Sequence, residues 1–281
     1  MQRLVLYPNA KINLGLYVTR KRLDGFHDIE TIFLPLPELC DTIEVEMGIV
    51  QKEPFLLEIV GNDVLASETD NLLCKVWRLL APYGLPTLRV SLKKKIPTGA
   101  GLGGGSADAS FFLRAMLPFC AQPPAQDLQV MALSLGSDCP FFLLNMPAIG
   151  RGRGELLTPI TINKLAGYWV LVLIPKVEIS TREAFASIVP EKPTFSMEER
   201  LELPLSEWNE QLKNVFQPGI VAKYNEIQQA LDFLKRKGAF YYSLSGTGAA
   251  VFGLFCKEVF CEGEVPTNWF VHKALLSDSG V

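Results

Sequence analysis

The stretch Pro97-Thr98-Gly99-Ala100-Gly101-Leu102-Gly103-Gly104-Gly105-Ser106 sets five glycines into the seven positions 99–105. Before it, residues 87–92 alternate as a strand; after it, residues 106–116 have helical spacing. Glycines in this number let a backbone approach a ligand closely, and amides opening a helix attract an anion. A phosphate fits that description, with Pro97, Gly99, Gly101, Leu102, Gly103, Gly104, Gly105 and Ser106 as the binding stretch. A Walker A loop is excluded, because Gly104 is followed by Gly105 and Ser106 rather than by lysine. The dinucleotide fingerprint matches at Gly99, Gly101 and Gly104, but Asp127, at the spacing of its acidic partner, falls in an apparent helix, and the preceding strands form no βαβ unit.

Around this loop lies the composition of a globular chain. Of 281 residues, 48% are hydrophobic and 20% charged, which excludes disorder and suggests two medium domains. A net charge of −3 gives no broad attraction to a nucleic-acid backbone. The dense basic run, Lys93 to Lys95, reads as a solvated strand end. The longest apolar block, Tyr168 to Ile174, is far shorter than the roughly 20 residues of a membrane helix. The apolar patch Leu4 to Leu6 is interrupted by Pro8, Asn9, Lys11 and Asn13 before a signal-peptide core can form, so a cytoplasmic protein without membrane partners is expected. Six scattered cysteines and two histidines show no metal-ligand spacing, and the thiols are expected to be reduced and mostly structural.

Periodicity supplies the remaining elements. Lys11, Asn13 and Gly15 share one face of a strand and Ala10, Ile12 and Leu14 the other; Asp24-Gly25 turns the chain into a returning strand at 29–34. Strands are predicted at 42–47, 55–60, 168–174, 240–244 and 249–255. Helices are predicted at 71–81 behind Thr69 and Asp70 as caps, at 106–116, at 125–135, and at 218–237 with Gly238 as its stop. Gly150 to Gly154 is the expected linker between an N-terminal domain, 1–152, and a C-terminal domain, 153–281. Helices and strands without regular βαβ alternation indicate an α+β fold.

Three motifs then coincide in order and spacing. Pro8-Asn9-Ala10-Lys11-Ile12-Asn13-Leu14, Gly101-Leu102-Gly103-Gly104-Gly105-Ser106-Ala107-Asp108-Ala109 and Leu244-Ser245-Gly246-Thr247-Gly248 resemble the motifs of the GHMP small-molecule kinases. Asp24-Gly25-Phe26-His27 and Gly136-Ser137-Asp138-Cys139-Pro140-Phe141 look like those members whose acceptor carries a cytidine diphosphate group. The resemblance runs through most of 5–158 and returns at 243–255, leaving 176–217 without a clear match. It implies a two-domain GHMP kinase fold, with an ATP-binding N-terminal domain, a substrate-side C-terminal domain and the active site in the cleft between them.

The implied reaction is ATP-dependent phosphorylation of the 2-hydroxyl of 4-diphosphocytidyl-2-C-methyl-D-erythritol, in the non-mevalonate route to isoprenoid precursors. Mg2+ would accompany ATP, with no protein ligand assigned. Phosphoryl transfer asks chiefly for positioning and for charge stabilisation. By resemblance, Asp138 would orient the hydroxyl and accept its proton, Lys11 would hold Asp138 ionised and stabilise the transferring group, and Asn13 would bond substrate hydroxyls or Asp138. Asp138 also reads as a helix cap, and Lys11 as an exposed strand lysine. His27 would hydrogen-bond cytosine, Phe26 would stack on it where many relatives carry tyrosine, and Phe185 is a candidate for the opposing ring or for the core. Gly246 and Thr247 would approach the substrate, although a tight turn explains them as well. Asp108 reads as a first-turn charge complementing the helix dipole. Rival readings are a kinase of mevalonate-like or homoserine-like substrates, or a noncatalytic RNA-binding module, which the charge and the glycine loop disfavour. A monomer or weak homodimer is expected.

Overall fold

The computed structural model describes residues 2–60, 70–122 and 124–276. In chain order the strands are β1 (Gln2–Leu6), β2 (Asn9–Lys21), β3 (His27–Cys40), β4 (Thr42–Met47), β5 (Phe55–Val60), β6 (Leu88–Lys93), β7 (Ala148–Arg151), β8 (Leu156–Pro159), β9 (Trp169–Ile174), β10 (Tyr241–Leu244), β11 (Val251–Phe255) and β12 (Phe270–Leu275). The helices are α1 (Leu72–Leu80), α2 (Gly104–Met116), α3 (Leu128–Leu135), α4 (Cys139–Leu144), α5 (Thr181–Ala186), α6 (Met197–Glu202), α7 (Trp208–Gln211), α8 (Gln217–Lys223) and α9 (Asn225–Arg236). The class is α+β, as the sequence implied. No helix among the described residues is long and apolar enough to cross a membrane.

The chain divides into two compact units, and they cross the expected boundary at 152–153. One comprises Met1–Ala10, Pro37–Thr98 and Gly103–Asn145; the other comprises Lys11–Leu36, Gly99–Leu102 and Met146–Val281. The physical reason is strand pairing. Thr31, Ile32 and Phe33 of β3 pair antiparallel with Gly150, Ile149 and Ala148 of β7, which turns back through 152–155 into β8. The expected linker, Gly150 to Gly154, is therefore a β-hairpin inside a sheet.

The first unit holds a sheet of order β1-β4-β6-β5, antiparallel except for the β5–β6 pair. Ile43, Val45 and Met47 alternate inward on β4, as do Leu88, Val90 and Leu92 on β6. They pack with Leu73, Val76 and Leu80 of α1 and with Phe112, Leu113 and Met116 of α2 in one apolar core. Each such side chain contributes roughly 1.5–3 kcal/mol by leaving water. Helix α1 is capped by Asn71, whose side chain accepts from the Leu73 amide; Asp70 is not the cap, and Thr69 lies outside the described residues. Helix α3 begins three residues later than predicted, with Asp127 as its N-cap. Helix α2 begins at Gly104, two residues before the predicted start.

The second unit holds two sheets, of order β2-β3-β7-β8 and β10-β11-β9-β12. The continuous apolar run of β9 is explained by its place inside the second sheet, where Val170 to Leu173 are fully buried. The single helix predicted at 218–237 is two. Tyr224 leaves helical geometry at φ −124 and ψ 96, its amide closing α8 on the Ile220 carbonyl, and α9 restarts at Asn225. Asparagine competes for backbone hydrogen bonds outside a helix and so favours such an entry point. Ile227, Ala230, Leu231, Phe233 and Leu234 then form the buried stripe of α9.

Candidate active site

The glycine loop opens α2 in the manner of an anion cradle. Gly103 is the N-cap with φ +74 and offers no side chain to the first-turn amides, while the Ala107 amide already donates to the Gly103 carbonyl at 2.9 Å. The amides of Gly104, Gly105 and Ser106 thus stand ahead of the intrahelical ladder, at the positive end of a 13-residue helix. Gly104 is required by close packing, since a Cβ there would lie 2.9 Å from Ile96 Cγ2 and 3.5 Å from Lys94 Nζ. This geometry fits the phosphates of a nucleotide.

Lys11 is not an exposed lysine. It is 3% accessible on β2, and its Nζ donates to Asn13 Oδ1 at 2.6 Å and to the Gly101 carbonyl at 3.0 Å. Asn13, also buried, donates through Nδ2 to Thr31 Oγ1 at 3.0 Å, and Thr31 donates onward to the Gly15 carbonyl at 2.5 Å. The relay ties Lys11 and Asn13 to each other, to Thr31 and to the Gly101 carbonyl, which orients both side chains. The Lys11 amide adds a backbone bond to the Leu102 carbonyl at 3.0 Å.

The third motif meets the second at the same place. Ser245 Oγ donates to the Gly101 carbonyl at 2.9 Å, and the Ala250 amide donates to the Ala100 carbonyl at 3.0 Å. A Cβ on Gly101, whose φ is +78, would fall 2.1 Å from the Ser245 carbonyl oxygen. Gly246 and Thr247 follow in the turn, and Thr247 Oγ1 lies 3.3 Å from Thr181 Oγ1. Sequence reasoning missed Asn214, which holds this turn from behind. Buried at 3% exposure, it donates to the carbonyls of Leu244 at 2.9 Å and Gly246 at 2.8 Å and accepts from the Phe216 amide at 2.9 Å.

An aromatic cluster lies in the same unit. The His27 ring stacks on Phe185 at 5.0 Å between centroids, and Phe185 meets Phe216 edge-on at 4.8 Å. The structure therefore joins His27 and Phe185, two residues that sequence placed together only by resemblance. Phe26 is 47% exposed, and the Arg153 guanidinium covers its ring at 3.7 Å. Arg153 was visible only as part of the supposed linker.

Asp138 belongs to the other unit, at the N-cap position of α4. Its side chain makes no capping hydrogen bond, and Pro140 sits in the first turn, so the helix-cap reading does not describe what this carboxylate does. Next to it, Cys139 is fully buried, and that burial pushes its thiol up to about 11. Two other expectations fail in this unit. Of the run Lys93 to Lys95, Lys93 and Lys95 are exposed as expected, but Lys94 is not: it lies between Asp41 and Asp108, with Nζ donating to both carboxylates. Asp108 is the fifth residue of α2 and is buried, so it is no first-turn surface charge. Among the described residues no group of three or more His, Cys, Asp or Glu is arranged to hold a metal ion.

Residues 71–145 match the model of the GHMP kinases N terminal domain, and residues 199–259 match that of the GHMP kinases C terminal. A protein of Bacteroides thetaiotaomicron named 4-diphosphocytidyl-2-C-methyl-D-erythritol kinase is 40% identical over 276 residues, covering 97% of this chain and 100% of that one. A protein of the same name from Parabacteroides distasonis is 40% identical, covering 98% and 97%. A crystal structure of 4-(cytidine 5'-diphospho)-2C-methyl-D-erythritol kinase superposes with a TM-score of 0.73 at 30% identity, over 89% of this chain and 90% of that one. Homoserine kinase from Cytophaga hutchinsonii shares the fold, with a TM-score of 0.70 at 16% identity over 100% and 96% of the two chains. The motifs, the α+β architecture and near-full-length identity agree, and the chain belongs to the 4-diphosphocytidyl-2-C-methyl-D-erythritol kinase family of GHMP kinases.

Proposed function

We propose that this kinase transfers the γ-phosphoryl group of ATP to the 2-hydroxyl of 4-diphosphocytidyl-2-C-methyl-D-erythritol, in the cytoplasm, as a monomer or weak homodimer. The observation that carries the reading is the convergence on Gly101, whose carbonyl receives both the Lys11 ammonium of the first motif and the Ser245 hydroxyl of the third. The proposed nucleotide site is the stretch Pro97 to Ser106, with the first-turn amides of α2 on the phosphates. Mg2+ is proposed to accompany ATP and to offset phosphate charge when bound; no protein ligand is assigned to it.

In the proposed mechanism Asp138 orients the acceptor hydroxyl and takes its proton, and Lys11 stabilises the charge spreading over the transferring oxygens. Asn13 fixes the Lys11 ammonium, since the 2.6 Å bond between them leaves little rotational freedom. His27 selects the cytosine edge while Phe26 and Phe185 supply ring faces, each stacked base–aromatic contact being worth about 1–3 kcal/mol. Gly246 and Thr247 approach the substrate from a turn that Asn214 holds in place. An ADP-release assay comparing the cytidylated methylerythritol with mevalonate and homoserine tests the substrate; turnover of either competitor at a comparable kcat/KM overturns the assignment. RNA retention at physiological salt would instead favour a binding module.

A further inference from the structure

The charge cluster beneath α2 has an uneven hydrogen-bond inventory. Asp41, fully buried, accepts from the amides of Lys95 at 2.5 Å and Ile96 at 2.8 Å and from Lys94 Nζ. Asp108 accepts from Lys94 Nζ at 2.7 Å through Oδ2, while its buried Oδ1 has no hydrogen-bond partner among the described residues. Three donors for one carboxylate and one for the other place the single balancing negative charge on Asp41. A buried carboxylate oxygen without a donor is costly as a charge and far less so as a neutral hydroxyl. The cluster also touches the cradle, because Lys94 Nζ lies 3.5 Å from where a Cβ of Gly104 would stand, at the first residue of α2.

We propose that Asp108 is a positioning residue for the nucleotide: it holds a proton, so that Asp41, Lys94 and Asp108 together carry no net charge beneath the amides that receive the phosphates. This rests on reading the α2 N-terminus as the ATP cradle. Losing the proton would place an uncompensated negative charge below an anion site and draw Lys94 toward Asp108, away from its packing against Gly104. The reciprocal consequence is that a bound polyphosphate favours the protonated form, so nucleotide affinity and proton occupancy are linked.

The groups facing Asp108 support this assignment. Lys94 acts on it from the end of β6 and Asp41 from the β3–β4 connection, and burial, the largest influence, pushes its carboxyl up to about 8. Lys94 is itself held above the usual lysine range by the two carboxylates, against the lowering effect of its burial. From α4 the titratable neighbour of α2 is Cys139, bonded to Ser106 and Ser110 and pushed up to about 11. Its burial and its unpartnered Oδ1 therefore make Asp108 the group to follow between pH 7 and 9.5.

The test is ATP binding by calorimetry over that range, above the second ionisation of a phosphate at about pH 6. The wild type should lose about fivefold to tenfold in affinity, and Asp108→Asn, which keeps an acceptor for Lys94 but cannot ionise, should stay within about twofold. A variant profile that parallels the wild type overturns the proposal. Independently of any variant, wild-type binding at pH 8 in buffers of differing ionisation enthalpy should show net proton uptake; none overturns it. The cradle reading fails separately: Ser106→Glu should abolish ATP binding at pH 7, and unaltered binding there refutes the cradle, whereas lost binding with a flat wild-type pH profile refutes only the proton role.

Discussion

The Lys11 ammonium and the Ser245 hydroxyl donate to one carbonyl oxygen, that of Gly101, at 3.0 and 2.9 Å. Residues 11, 101 and 245 are thereby fixed to a common atom despite their separation in the chain. Gly101→Ala would meet both a left-handed backbone requirement and a collision with the Ser245 carbonyl, 2.1 Å from the new Cβ. The backbone effect alone costs about 1–2 kcal/mol. We expect a lower melting temperature and a fall in kcat/KM of at least about tenfold, the rate equivalent of about 1.4 kcal/mol. Wild-type melting and turnover together would contradict this reading of the junction.

Asp138→Asn retains shape and removes the proposed proton acceptor. A drop in kcat of about two to four orders of magnitude is expected, with ATP affinity by calorimetry near that of the wild type. Undiminished turnover would take Asp138 out of the mechanism.

Phe185→Ala removes the face on which His27 rests at 5.0 Å. The KM for the cytidine substrate should rise by about 5-fold to 150-fold, corresponding to 1–3 kcal/mol of stacking, while the KM for ATP stays within about twofold. An equal rise for both substrates would assign Phe185 to the core alone.

Asn214→Ala leaves the buried Leu244 carbonyl, the part-buried Gly246 carbonyl and the Phe216 amide without their side-chain partner. The expected cost is about 1–3 kcal/mol of stability, read by urea denaturation. Asn214→Asp, which loses only the donors, should show a cost as well, and a neutral result for both variants would remove Asn214 as the support of the Gly246 turn.

Cys139 and Cys256 provide a chemical contrast. Cys139 is fully buried with its thiol pushed up to about 11, whereas Cys256 is exposed. Thiolate is the reactive form, so iodoacetamide at pH 8 should label Cys256 within minutes and leave Cys139 unmodified in the native protein. Rapid native labelling of Cys139 followed by mass spectrometry would show that α4 opens readily.

Local pattern carried much of this structure into the sequence. The alternation of Ile43, Val45 and Met47 gave β4 its predicted bounds, because a sheet with one face on a core imposes a period of two. The glycine run was legible for a comparable reason, since few backbones need so many residues without a Cβ. What escaped reading depends on partners distant in the chain. Lys94 looked solvated because Asp41 lies 53 positions away, and the β7–β8 hairpin looked like a linker because its partner strand, β3, precedes it by more than a hundred residues. Asn214 carried no signal at all; its three bonds go mainly to the motif turn some 30 positions on. The break at Tyr224 escaped because the apolar stripe of α9 reads smoothly back into α8.

The pairing of β3 with β7 sets a limit on how this polypeptide can be cut. A fragment ending at residue 152 would keep β7 but lose its neighbour β8, and one starting at 153 would carry β8 with an exposed row of unpaired amides and carbonyls. Recombinant halves divided there should aggregate, whereas co-expressed halves have a route to reassembly through the missing ladder. Protein engineers seeking a split reporter or a minimal nucleotide-binding module from this scaffold would do better to leave 9–40 and 148–159 on the same piece.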